Sequence, residues 1–332
     1  MSDTVLAAVD GRIGRLQLNR PAALNALNHD MILALTKALT AWREDPHIHA
    51  VVIEGLGGRA FCAGGDIRAV RDAALAGQAD KIHAFFAEEY KLNRLIAEFG
   101  KPYIALIDGI CMGGGIGVSV HGTFRVVTES ALLAMPETGI ALFPDVGASF
   151  VLPRLPGALG IYLGLTGTRL AGADAVHAGF ATHFVAKSAL PALSAALASD
   201  GAGALGEFTA PLPAFALAQH RAAIDRCFSA PTVEEILLRL KSEGEWGEAT
   251  IATLRAASPS SLLWSFGIMK HGAERSLVEC LEAELRLTRG VTAHPDFAEG
   301  VRAMIIDKDR KPIWTPRKLE DVDQGYIASI LE

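Results

Sequence analysis

Two carboxylates in a glycine-rich neighbourhood are the first residues of this chain whose types and spacing suggest chemistry. Between Cys111 and Gly147 the chain reads CMGGGIGVSVHGTFRVVTESALLAMPETGIALFPDVG. Glu137 and Asp145 each follow a proline, whose fixed φ limits how the next side chain is aimed. Neither has a lysine or arginine within a helical turn in sequence. Upstream, Gly113-Gly114-Gly115 leads into an apolar run, the pattern of a helix whose first turn presents bare N–H groups and the positive end of a dipole. N–H donors where an oxyanion develops, with a carboxylate alongside as base or nucleophile, are what acyl chemistry needs. A plainer reading also stands: glycines that permit close packing, and carboxylates in solvent.

A second loop has the same character. GLGGRAFCAGGDIRAV follows an apolar strand pattern, and Gly64-Gly65 before Asp66 marks a tight turn entering a helix. The loops at Ala63–Asp66 and Gly113–Gly115 could each aim one N–H at a single carbonyl oxygen. Neither ends in the Gly-Lys-Ser/Thr of a nucleotide-phosphate loop, and neither is a spaced G-x-G-x-x-G. Glu89 is the third acid of interest. It lies on an apolar helical stripe with Ile82, Phe85, Phe86, Leu92, Asn93 and Ile96. A carboxylate there is costly unless paired or used. It either turns to the helix edge toward Lys91 or Arg94, or looks into a cavity.

The elements that must position these residues follow from the hydrophobic pattern. Val5–Val9 and Arg15–Leu18 read as a hairpin, and a helical stripe from His29 closes before Pro46. Ala50–Glu54, Tyr103–Ile107 and Phe124–Val127 are short apolar strands without alternation, as in a sheet covered on both faces. Strands alternating with helices indicate an α/β layered core. Residues 201–217, rich in Gly, Ala and Pro, make the best linker candidate. Helices follow: Thr232–Leu240, Ala249–Ala257, one capped by Ser258-Pro259, and Ser276–Thr288 with Gly290 as its C-cap.

Composition narrows the partners. A net charge of −6 and a pI near 5.9 argue against a polyanion. Cysteines 62, 111, 227 and 280 lack paired zinc-site spacing and suggest no disulfide framework. No window reaches the roughly 18 apolar residues of a membrane span. The first residues, MSDTVLAAVDGRIGRLQL, match neither a signal nor a transit peptide, so the cytoplasm is the expected compartment.

Three motifs carry a resemblance. AFCAGGDI at 60–67, MGGGIG at 112–117 and MPETGIALFPDVG at 135–147 are similar to the enoyl-CoA hydratase/isomerase (crotonase) superfamily. FAEEYKLN at 86–93, HGTFRVVTE at 121–129 and DFAEGVRAMIIDKDRKPIW at 296–314 resemble its branch of β-hydroxyacyl-CoA thioester hydrolases. The resemblance implies repeated ββα units in a layered core over residues 1–200. It also implies a helical C-terminal region over 201–332 that packs on the core or on a neighbouring subunit of a homo-oligomer. By the same resemblance, the Ala63 and Gly114 amides hold the thioester carbonyl. Glu137 and Asp145 are then catalytic, and Glu89 contacts substrate along with Gly114, Glu137 and Asp145. His121 matches a family position but reads as structural.

One departure separates activities. A hydratase of this type holds a second glutamate three residues after the oxyanion glycine, where this chain has Gly117. The implied reaction is therefore hydrolysis of 3-hydroxyisobutyryl-CoA, a short branched β-hydroxyacyl-CoA of valine breakdown. The expectation includes no metal and no separate cofactor, coenzyme A being part of the substrate, and neither nucleic acid nor membrane as partner. A hydratase or isomerase on another acyl-CoA, or a non-catalytic binding protein, are the alternatives.

Overall fold

The computed structural model describes residues 3–331. Ten strands form two sheets: β1 (Val5–Asp10), β2 (Ile13–Leu18), β3 (Ala50–Gly55), β4 (Ala60–Cys62), β5 (Tyr103–Ile107), β6 (Ile110–Met112), β7 (Phe124–Val127), β8 (Leu132–Ala134), β9 (Leu170–Ala171) and β10 (His183–Phe184). The larger sheet has the order β1-β2-β3-β5-β7-β10, and the smaller β4-β6-β8-β9. Among the described strands, only the hairpin β1–β2 and the pair β8–β9 are antiparallel. The rule that generates both sheets is repetitive. Consecutive strands β3 and β4, β5 and β6, then β7 and β8 each send their first member into the large sheet and their second into the small one. Two of these pairs are followed by a helix: α2 (Ile67–Leu75) after β4 and α4 (Gly114–Val120) after β6. This is the ββα repeat expected from sequence.

Solvent exclusion explains the strand composition. Val51, Val52 and Ile53 on β3 are fully buried, as are Ile104 and Ala105 on β5, so an unbroken apolar run is the stable choice. Ile13, Val52, Ile104, Leu106, Val126 and Val185 share one cluster with Leu193, Leu197 and Leu205. Between α2 and β5 runs α3 (Ala79–Ala97), and α1 (His29–Glu44) is capped by the Asn28 side chain on the Met31 N–H.

The chain divides into two compact units built from interleaved segments. One comprises the chain up to Gly65, Glu88–Ala134 and Arg169–Ala216; the other comprises Asp66–Ala87, Met135–Thr168 and the chain from Leu217 on. A boundary at residue 200/201 is thus not where the contacts part. The 201–217 linker candidate is not a free linker either. Leu205 is buried in the sheet's cluster, Ala202 and Phe208 pack against it, and Thr209 forms a bridge with Val185. Its small residues reflect short turns laid on the core.

The second unit is mostly helical, around the fully buried Trp264 and Phe297. Ser258 caps Pro259–Gly272 through the Ser261 N–H, with Pro259 at the first helical position as expected. Ser276 and Glu279 form a capping box at the start of Leu277–Ala293. Gly290 does not end that helix, which runs on to Ala293. Its role is close approach instead: a Cβ there would stand 2.7 Å from Ile330 Cγ2, and its carbonyl accepts the Tyr326 hydroxyl at 3.0 Å.

Candidate active site

Within the first unit the two glycine loops are neighbours because their strands are. β4 and β6 pair in parallel, so the loops leaving their C-terminal ends emerge side by side. Gly64 takes φ +115° and Gly113 φ +46°, backbone that side-chain-bearing residues rarely adopt. A Cβ on Gly64 would lie 3.9 Å from the Gly114 nitrogen, and one on Gly114 would lie 3.1 Å from the Gly65 nitrogen. Gly114 opens α4, where the first N–H groups have no partner within the helix.

Ala63 does not take the part expected of it. Its N–H donates to the Leu24 carbonyl at 3.0 Å, which fixes the loop and leaves that amide unable to serve a ligand. Gly64 contributes its carbonyl to the Leu27 N–H at 2.8 Å. The amide lying beside Gly114 is that of Gly65, which donates to no other group among the described residues. A simple count along AFCAGGDI does not distinguish Ala63 from Gly65; the hydrogen bond to Leu24 does.

Glu89 belongs to the same cluster. It is 2% exposed, which rules out the helix-edge reading. Lys91 and Arg94 pair with Glu88 and Glu98 instead. Its Oε1 lies so close to Gly114 that a Cβ on that residue would stand 2.6 Å away. One turn further along α3, Asn93 is fully buried and neither atom of its amide has a hydrogen-bond partner. Buried polar groups are almost always satisfied, so an amide open at both ends is a place where a ligand or water is accommodated. Cys62, between these features, is an inert thiol. Burial pushes it up to about 12, with the nearby Glu89 charge adding to the effect. His121 is the C-cap of α4, in keeping with a structural role.

In the second unit, Glu137 and Asp145 are 5% and 4% exposed, so the reading of solvated carboxylates fails for both. Glu137 opens a short 3-10 turn (Glu137–Ile140) directly after Pro136, and its carbonyl accepts the Leu142 N–H at 3.0 Å. The segment joining it to Asp145 is pinned at Leu142, whose carbonyl accepts the Ser261 hydroxyl and, at 3.0 Å, the Trp264 indole N–H. Beyond Asp145, Val146 and Gly147 are both left-handed, with φ +54° and +82°. Glu284, from the helix Leu277–Ala293, accepts hydrogen bonds from Gly147 and Ser149. Sequence reasoning missed it. The signal was available, since Glu284 lies between Cys280, Leu281 and Leu287, Thr288 on the buried stripe, the same anomaly that singled out Glu89.

The first unit thus holds the half-buried Gly65 and buried Gly114 amides beside a buried carboxylate, and the second holds two buried carboxylates on a pinned loop. The family model for enoyl-CoA hydratase/isomerase matches residues 13–331. The chain belongs to the enoyl-CoA hydratase/isomerase family. Its similarity to a Xenopus tropicalis protein named 3-hydroxyisobutyryl-CoA hydrolase, mitochondrial, is 48% identity over 96% of this chain and 86% of the relative. Among solved structures of the family it resembles a carnitinyl-CoA dehydratase from Mycobacterium thermoresistibile, at 36% identity and TM-score 0.95 over 100% of this chain and 97% of that one. It also resembles an enoyl-CoA hydratase from Rhodobacter sphaeroides 2.4.1, at 40% identity and TM-score 0.93 over 99% and 97% of the two chains.

The relative's name overturns the cytoplasmic expectation, because it assigns that protein to mitochondria. A leaderless reading of eighteen residues does not decide a compartment. Nothing in the buried, unpaired cysteines or the acidic balance distinguishes one reducing compartment from another. No described helix is long and apolar enough to cross a membrane. Among the described residues no group of His, Cys, Asp and Glu side chains could hold a metal ion.

Proposed function

We propose that this chain hydrolyses the thioester of 3-hydroxyisobutyryl-CoA, a step of valine breakdown, giving 3-hydroxyisobutyrate and free CoA. In the reaction the carbon–sulfur bond breaks, water supplies the new carbon–oxygen bond, and one proton passes to the leaving thiolate. The Gly65 and Gly114 N–H groups hold the carbonyl oxygen as negative charge develops on it. Glu137 acts on the carbonyl carbon, as nucleophile through a mixed anhydride or as base toward water. Asp145 protonates the leaving thiolate or holds the acyl 3-hydroxyl, and Glu89 and Asn93 meet the acyl group. No separate cofactor takes part in this reading, and its partner is the acyl-CoA substrate rather than nucleic acid or a membrane.

The observation that carries hydrolysis over hydration is Gly117. It lies buried in the first turn of α4, three residues after Gly114, and offers no second carboxylate. Addition of water across a C=C bond needs an acid and a base, whereas hydrolysis of a polarised thioester needs one carboxylate at the carbonyl. The relatives named as hydrolases over nearly the full chain support the same choice. A panel of acyl-CoA esters, assayed in parallel for thiol release and for loss of the conjugated double bond, tests it. Efficient thiol release from 3-hydroxyisobutyryl-CoA is expected. Hydration of crotonyl-CoA without thioester cleavage would overturn the reading.

A further inference from the structure

The loop carrying Asp145 is held from behind by a carboxylate that the proposed reaction does not use. Glu284 is fully buried. Its Oε2 accepts the Gly147 N–H at 2.7 Å, and its Oε1 accepts both the Ser149 N–H at 3.0 Å and the Ser149 hydroxyl. Among the described residues no lysine or arginine pairs with it; its partners are these three donors of the loop. Gly147 and Ser149 donate to different oxygens, so neither a glutamine nor a serine, each with one acceptor oxygen, would satisfy both. Two acceptor oxygens at this buried spot call for a reason.

Backbone geometry supplies half of that reason. Val146 is a β-branched residue in the left-handed region, followed by a second left-handed residue, Gly147. Such backbone persists only where its surroundings over-determine it. The bonds from Gly147 and Ser149 to Glu284 do so, while the Asp145 carbonyl accepts the Ala148 N–H at 2.9 Å and closes the turn. Because Gly147 is two residues past Asp145, the bond that fixes the kink also fixes where Asp145 points.

Electrostatics supply the other half. Burial pushes the Glu284 carboxyl up to about 8; hydrogen bonds from Ser149 and Gly147 oppose this, and the charge of Asp145 adds to it. Several other titratable groups of the packed elements are engaged elsewhere, whereas Arg275 has a buried Nη1 with no hydrogen-bond partner among the described residues. Cys280, one turn earlier, feels Glu284 but is itself a neutral thiol raised by burial. Lys270 bonds the Pro231 carbonyl and Arg71 the Ala298 carbonyl. His271 is held down by burial, Arg275 and Lys270. Asp296 accepts from Ser258 and Thr315, and Tyr326 donates to Gly290. Below about pH 8 Glu284 therefore keeps its proton and holds the loop without setting a second negative charge beside Asp145.

We propose that Glu284 is the positioning residue of the Asp145 loop, its two carboxyl oxygens holding Gly147 and Ser149 so that Asp145 keeps its acting orientation. The inference rests on reading Asp145 as an acting residue. Its test is the pH–rate profile of thiol release from 3-hydroxyisobutyryl-CoA by the full chain, for wild type, Asp145→Asn, Glu284→Gln and Ser149→Ala. Asp145→Asn identifies the limb of the kcat profile that belongs to Asp145, by removing it. In Glu284→Gln that limb is expected to stay in place, since a carboxyl that keeps its proton below about 8 is exchanged for a neutral amide. A kcat about tenfold down with KM little changed is expected as well, from a misaimed side chain. Should Glu284→Gln not fold, Ser149→Ala removes the one hydroxyl bond to Oε1 and keeps both backbone donors; there a smaller loss of kcat, about threefold, is expected, again with KM little changed. A folded Glu284→Gln with wild-type kcat overturns the proposal, and so does wild-type kcat in Ser149→Ala if that variant has to decide. A wild-type profile in Asp145→Asn is a different failure: it removes the reading of Asp145 on which the inference stands.

Discussion

The amide-bearing loops of the first unit and the carboxylate-bearing loop of the second are built by opposite means. Gly64, Gly65, Gly113 and Gly114 are set by strand ends and by backbone hydrogen bonds such as Ala63 to Leu24 and Leu27 to Gly64. The groups they offer are main chain, and the local requirement is the absence of side chains. Glu137 and Asp145 sit on a segment that regular structure does not fix. It is held by side chains arriving from far away: Ser261 and Trp264 on Leu142, and Glu284 on Gly147 and Ser149. A site made of backbone is damaged by adding atoms; a site made of buttressed side chains is damaged by removing them.

That contrast can be broken in order of expected effect. Glu137→Gln keeps the size of the side chain but not its basicity or nucleophilicity, so kcat should fall by roughly 10³–10⁴ with acyl-CoA binding nearly intact. Single-turnover hydrolysis in ¹⁸O-labelled water sharpens the result on the wild type, since label appears in Glu137 only if an anhydride forms and water attacks its glutamyl carbonyl. Gly114→Ala is the addition test. The new methyl would stand 2.6 Å from Glu89 Oε1 and 3.1 Å from the Gly65 nitrogen, so the amides should splay and kcat fall by about 10²–10³. Wild-type turnover in Gly114→Ala would mean these amides hold no oxyanion.

Two smaller effects concern stability. The Glu284 carboxyl is raised from 4.5 to about 8 in the folded chain. Between those values the folded state retains a proton that the unfolded chain has released, so stability from this group falls as pH rises across the window. Urea melts from pH 5 to pH 8 should show that slope, and Glu284→Gln should flatten it. Gly290→Ala drives a methyl toward Ile330, at 2.7 Å, where the last helix packs. A loss of about 1–3 kcal/mol in the same melts is expected, with kcat unchanged. An unchanged midpoint would show that the last helix yields freely.

The same contrast explains what could be read in advance. The strands Ala50–Gly55, Tyr103–Ile107 and Phe124–Val127, the helix from His29 and the cap at Ser258 were legible because propensity and packing agree there. Both glycine loops were legible for a related reason: bare backbone is encoded by a residue type. Choosing Gly65 over Ala63 was not, because the deciding fact is a hydrogen bond to Leu24, thirty-nine residues earlier in the chain. Glu284 stayed hidden for the mirror-image reason. Its partner Gly147 is 137 residues away, and no local pattern records a contact over that distance. The linker at 201–217 failed because small residues serve a tight turn on a core as well as they serve a tether.

Burial of all four cysteines has a consequence for an enzyme proposed to release a thiol. Free CoA and its disulfides exchange with protein thiols through the thiolate, and the rate follows the thiolate fraction and access. The Cys62 thiol, next to the glycine loop and raised to about 12, supplies almost none at neutral pH, and burial raises Cys111 further still. The proposed reaction can therefore release its thiol without forming mixed disulfides with Cys62, and activity should be indifferent to the CoA–CoA disulfide ratio.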